Sequence, residues 1–269
     1  MAYSKQWLDI LDQVKEFEGN RIVWYRGQSN SQKTLHSGLF RVIDDYDGIT
    51  IKEIKTIERQ FYNYFLNLGY LHHNAQDWEL LILMQHHGVK TRLLDWTESF
   101  AVSLFFAFQH WKPDKPACIW MLKPLLLNKK ATKIEKFHNE YISKGISYTN
   151  RIDKETLNDF LDHSVALHPI RNNSRIVAQS GVFTIQGNTL DPLENEYNGE
   201  LLDDNILQKI VLSEEIRNDI ELYLKHSGIN YFTLFPDLDG LSKHLNKSVL
   251  DKVNLIWHSA SSDDFMKIK

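Results

Sequence analysis

The sequence predicts an α+β domain in which a small mixed or antiparallel sheet is surrounded by helices. Three observations lead there. Apolar residues recur at helical spacing in several segments, as in Trp7, Leu8, Ile10, Leu11, Val14 and Phe17. Short apolar runs of strand length lie between such segments, Ala117 to Leu122 being the clearest. Finally, 7 Trp, 11 Tyr and 14 Phe in a 269-residue chain that is 42% hydrophobic and 25% charged supply a substantial core. No internal repeat, low-complexity block or linker divides the chain, so one domain over residues 1–269 is the simplest organisation.

The elements follow in order. The first helix runs from Trp7 to Phe17 and closes at Gly19. Arg21 to Tyr25 makes a short strand ending at Arg26-Gly27-Gln28, and the turn-forming residues Ser29 to Ser37 make a loop. A longer helix spans Thr50 to Leu68, with Ile54, Ile57, Phe61, Tyr64, Phe65 and Leu68 on one side and Gly69 at its end. Asp77 is the expected N-cap of a helix Trp78 to His87, followed by Gly88. Asp95 offers another N-cap, with Glu98 completing a capping box, for a nearly all-apolar helix from Trp96 to Trp111. Lys112-Pro113-Asp114-Lys115-Pro116 breaks that helix before the buried strand Ala117 to Leu122. Lys123 to Leu167 is more polar and reads as short helices in a surface excursion. Ser174 to Ile185 suggests paired strands around Gly181, and Lys209 to Leu212 another strand. Ser213 caps a helix Glu214 to His226 ended by Gly228, Phe235 to Leu241 begins a short final helix, and Ser259 to Lys269 reads as loose.

A formal net charge of −4 gives no global pull towards nucleic acid or acidic membranes. Cys118 is the sole cysteine, which excludes an intrachain disulfide and a cysteine zinc cluster. Met1 to Gln13 lacks the apolar segment of a signal peptide. No apolar run reaches the ~18 residues of a membrane span. A soluble, cytoplasmic protein without a membrane partner is the expectation.

The densest chemistry lies in Gln85-His86-His87-Gly88-Val89-Lys90-Thr91-Arg92-Leu93-Leu94-Asp95-Trp96-Thr97-Glu98, between two strongly apolar flanks. Polar groups there must find partners, because each one buried alone costs roughly 1–3 kcal/mol. The cluster is therefore a structural network or a site. His86 can serve as a general acid or base, and the helix dipole would favour its imidazolium. Consecutive histidines point about 100° apart on a helix, and no HxH or HExxH spacing accompanies them, so no metal site is expected. Arg92 and Asp95, three apart in a turn, are expected to pair. Trp96 can stack on a base or sit in the core. Arg26, placed after a strand and before a glycine, can clamp a phosphate bidentately or pair with Asp95. Gln28 can orient a sugar or satisfy turn carbonyls. Gln179-Ser180-Gly181 can bring backbone close to a ligand or form a plain bulge.

Four blocks together resemble the FRG domain family. Trp24-Tyr25-Arg26-Gly27-Gln28 is similar to the signature behind the name, with Tyr25 in place of phenylalanine. Gln85 to Ala107 resembles the central motif, with His87 and Lys90 replacing the usual aromatic and proline. Arg175 to Thr184 and Phe235 to Leu241 resemble the third and last blocks. The resemblance covers about residues 20–245 and leaves 246–269 as a C-terminal extension. Its organisation is similar to that of ADP-ribosyltransferases, a likeness at fold level. That likeness implies an NAD-dependent transferase in which Arg26, Gln28, Thr91, Arg92 and Trp96 bind the nucleotide and His86, Asp95 and Gln179 act on it. NAD would be substrate, with no permanently bound cofactor, and a protein or nucleic acid would be its target. Gln179 stands near the expected glutamate, and an amide cannot supply that anion. The alternative is a non-catalytic recognition module binding a nucleotide, nucleic acid or partner protein through the same residues.

Overall fold

The structure, a computed structural model, describes residues 3–137, 147–153, 160–171 and 173–263. It is built on one sheet of six strands, β1 (Trp24–Gln28), β2 (Leu93–Thr97), β3 (Ala117–Leu122), β4 (Val165–Leu167), β5 (Gly181–Ile185) and β6 (Leu207–Leu212). Their order is β4-β5-β2-β1-β3-β6, and every neighbouring pair is antiparallel. The α+β expectation holds, and the sheet is antiparallel rather than mixed.

Strand alternation divides the apolar residues between two faces. Trp24, Leu94, Trp96, Trp120, Leu122 and Val182 share one face with Leu127 and Leu201 packed on it. The other face carries two cores. Tyr25, Ile119, Met121 and Ile210 pack against α1 (Lys5–Glu18) and α4 (Phe100–Gln109). Leu93, Phe183, Ile185 and Val165 pack against α2 (Ile51–Leu68) and α3 (Asp77–His86).

Several helices form for the reasons their sequences give. In α1, Ser4 Oγ accepts from the Trp7 amide, Trp7, Ile10, Val14 and Phe17 face the core, and Gly19 ends the helix at φ 50°. In α2, Thr50 and Glu53 form a reciprocal capping box. The others are α5 (Pro124–Thr132), α6 (Tyr148–Asp153), α7 (Ser174–Ala178), α8 (Glu200–Asp203), α9 (Arg217–His226), α10 (Tyr231–Leu234) and α11 (Leu238–Asp263).

Several expectations are corrected. Ser213 makes no side-chain cap, and the α-helix that ends at His226 starts at Arg217. The first strand is Trp24–Gln28, so Arg26 and Gln28 lie inside it, where they pair with Trp120 and Cys118. Asp95 caps no helix: Leu93–Thr97 is the strand β2, and Ser99 caps α4 by accepting from the Val102 amide at 3.3 Å. Glu98 bonds Arg171 instead of closing a capping box. Asp77 has φ 54° and caps the neighbouring helix α6, accepting from the Tyr148 and Thr149 amides. Ser174–Ala178 is a helix, and β5 pairs with β2 and β4 instead. The final helix runs 26 residues to Asp263, through the start of the stretch read as loose; 264–269 lie outside the described residues. The polar excursion holds α5 and α6 as short helices, with β4 at its end and 138–146 and 154–159 outside the described residues.

Gly27 fixes how α4 sits on the sheet. A Cβ built there would lie 1.8 Å from the Ser103 carbonyl oxygen and 2.6 Å from the Ala107 amide, so the helix backbone rests directly on β1.

Candidate functional site

The centre of the sheet is where the site opens. β1 pairs with β3 at five positions and β2 with β5 at five, whereas β1 and β2 meet only at Tyr25↔Thr97. Past that pair the two strands part. A cavity of about 420 Å³ fills the opening, within the range of small-ligand sites. It is walled by Ile82, Gln85 and His86 of α3, by Phe106 of α4 with His110 just beyond it, and by Phe183 and Phe235.

Arg26 reaches across the gap. Its Nη1 donates to the Asp95 carbonyl oxygen at 2.6 Å and lies 4.0 Å from Asp95 Oδ2. Only 16% of the side chain is exposed, and Nε has no partner. Burial pulls the guanidinium down to about 10, opposed by Asp95 and assisted by Arg41, so it remains charged at neutral pH. Arg41, Lys33 and Arg175 also line the cavity. Arg175 is held by Asp237 at 2.6 Å and lies over the Phe235 ring.

Asp95 is the sole carboxylate among these lining residues, and its side chain is 59% exposed. Gln85 Nε2 donates to both of its oxygens, at 3.0 and 2.9 Å. His86 closes α3 with Nε2 buried and unpaired. Burial, with His87 and Arg175 beside it, pulls its imidazole below the ordinary value against the opposing charge of Asp237, so the ring is neutral at neutral pH. Gln179 caps the end of α7; its carbonyl accepts from Thr97 Oγ1 and its amide donates to the Leu234 carbonyl.

Arg26, Gln28, His86, Asp95, Trp96 and Gln179 thus all border one cavity, drawn from strands and helices far apart in sequence. Gln28 is already committed, accepting from Trp120 Nε1 at 3.0 Å. Trp96 is 3% exposed in the opposite-face core and donates to Thr184 Oγ1. Thr91 and Arg92 do not line the cavity. Arg92 pairs with Glu58, not with Asp95: Nε and Nη2 meet its two oxygens at 2.6 and 2.5 Å, fully buried. Thr91 donates to Gln85 Oε1. Sequence reasoning passed over Gln85, Arg41, Lys33 and Arg175 as site residues. Gln85 and Arg175 open two of the blocks that carry the family resemblance, a signal that could have found them. Lys33 and Arg41 offer only their charge, and the packing that gathers them leaves no local pattern. Among the described residues no group of three or more His, Cys, Asp or Glu could hold a metal ion, and no helix is long and apolar enough to cross a membrane.

Residues 21–116 match the family model of the FRG domain. The matched span carries β1, α3, β2 and α4, hence Arg26, Gln85, His86 and Asp95. No curated protein and no solved structure matches the chain. Nothing in these comparisons links the chain to ADP-ribosyltransferases.

Proposed function

We propose that this chain, with its FRG domain over residues 21–116, binds NAD in the cleft between β1 and β2 and transfers ADP-ribose from it. The observation that carries the reading is the charge layout: Arg26, Lys33, Arg41 and Arg175 surround a cavity with one lining carboxylate, Asp95. A dinucleotide complements that layout, since its pyrophosphate is dianionic and its ribose offers hydroxyls to a carboxylate. Arg26 grips phosphate, and Gln179 and Gln28 shape the sugar end.

In the transfer, the bond from the ribose C1′ to nicotinamide breaks and its electron pair neutralises the departing ring. Asp95 faces the positive charge that develops at C1′ and accepts from the ribose hydroxyl. The acceptor bonds C1′ and gives its proton to the neutral His86. Gln179 cannot be the anion here, and Asp95 takes that place.

Titration calorimetry with NAD, together with chromatography of released nicotinamide, tests this. Arg26→Ala should weaken NAD binding at least about tenfold. Asp95→Asn should keep binding within a few-fold and lower nicotinamide release on the order of a hundredfold. Binding without any release would leave a recognition module. Absence of both NAD and ADP-ribose binding at millimolar concentration would overturn the reading.

A further inference from the structure

We infer that Gln85 and Thr91 are positioning residues that fix Asp95 in the cleft as an oriented hydrogen-bond acceptor for a ligand hydroxyl. The inference deepens the NAD reading and rests on it.

The direction of each hydrogen bond in the group is determined. The Leu93 amide donates to Thr91 Oγ1 at 3.1 Å, so this oxygen accepts from the backbone. Its own proton then goes to Gln85 Oε1, 2.5 Å away. With Oε1 accepting from Thr91, the amide nitrogen of Gln85 must face Asp95, where it lies 3.0 and 2.9 Å from the two oxygens. The reverse orientation would set the Gln85 oxygen against a carboxylate, two acceptors with no proton between them. The chain of donors therefore ends on an acceptor and is consistent only in one sense.

Burial supports the same order. Thr91 is 2% exposed, Gln85 is half-buried, and Asp95 stands at the cavity. An anchored hydroxyl holds an amide, and the amide holds a carboxylate whose remaining lone pairs are open to the ligand. Arg26 holds the same residue from the other side through its main-chain carbonyl, so backbone and side chain are fixed separately. Such a carboxylate should distinguish a ribose from a deoxyribose.

The test compares binding of NAD with that of its analogue lacking the 2′-hydroxyl of the nicotinamide ribose, by calorimetry. The unaltered protein should prefer NAD by about tenfold or more. Gln85→Leu and Thr91→Val should each cut that preference to within about twofold while both ligands still bind, and Thr91→Ser, which keeps the hydroxyl, should restore it. Thermal melts separate this from unfolding, because a purely structural role would weaken both ligands equally and leave their ratio unchanged. An unchanged ratio in folded Gln85→Leu overturns the inference while the NAD reading stands. No NAD binding by the unaltered protein overturns both.

Discussion

Removing either half of the Glu58–Arg92 pair strands a charge in a dry core. Arg92 also donates to the Gln186 carbonyl, lies over the Phe160 ring at 3.8 Å, and shares Glu58 with the Tyr148 hydroxyl. Glu58→Gln or Arg92→Leu should each cost about 3–5 kcal/mol in urea unfolding, whereas joint replacement by Met and Leu should recover most of it. His163 provides a pH-dependent counterpart at the surface. Its Nδ1 lies 3.6 Å from the fully buried Glu196, which holds the imidazole above its ordinary 6.5. A raised folded-state value contributes stability that is complete below 6.5 and lost as pH rises through that raised value. Melting curves across that range should show the decline in the unaltered protein and its absence in His163→Gln. Neither pairing could be read from spacing. Glu58 lies 34 residues before Arg92, and only the packing of α2 against the sheet brings them together.

At the scale of elements, the correction at Asp95 has a measurable consequence. Ser99→Ala should destabilise the protein by about 1 kcal/mol through loss of the α4 cap. Asp95→Asn should cost far less, because that side chain caps nothing. The opposite order of effects would restore Asp95 as the cap. Gly27→Ala should be severe, on the order of 3 kcal/mol or more, because the methyl would collide with the Ser103 carbonyl and lift α4 from β1. Chemical denaturation reads both. Helix α1 was legible because one apolar face repeats over several turns. The extent of α2 was legible too, but its buried face carries Ile54, Lys55, Glu58 and Tyr62, while Tyr64 and Leu68, expected on the apolar side, are exposed. Strand β2 was not legible, because Leu93, Leu94 and Trp96 are buried on two faces of a strand that only Glu98 and Ser99 separate from an apolar helix. The helix α7 is too short, at five residues, for any period to show. A further detail was also beyond sequence reading: Asn128 uses its amide to bond both the N–H and the C=O of Ala166. One side chain thereby occupies the outer edge of β4 as another strand would.

At the scale of the molecule, the α+β class and most of the candidate residues could be read from composition and motif. Their convergence could not, since the strand order of the sheet sets Arg26 beside Asp95 while His86 and Gln179 arrive at the ends of the helices α3 and α7. That order also leaves β4-β5-β2 and β1-β3-β6 joined by a single residue pair. In strand pairing this is two plates stitched at one point, with α4 resting on β1 beside the seam. Arg26 belongs to one plate and Asp95 to the other. Arg26 already crosses the seam to the Asp95 carbonyl, and a ligand gripped by both residues would tighten it further, so backbone amides at 26–28 and 95–97 should exchange with deuterium more slowly when NAD is bound. In this protein, occupancy of the cleft would be felt as tension across the seam.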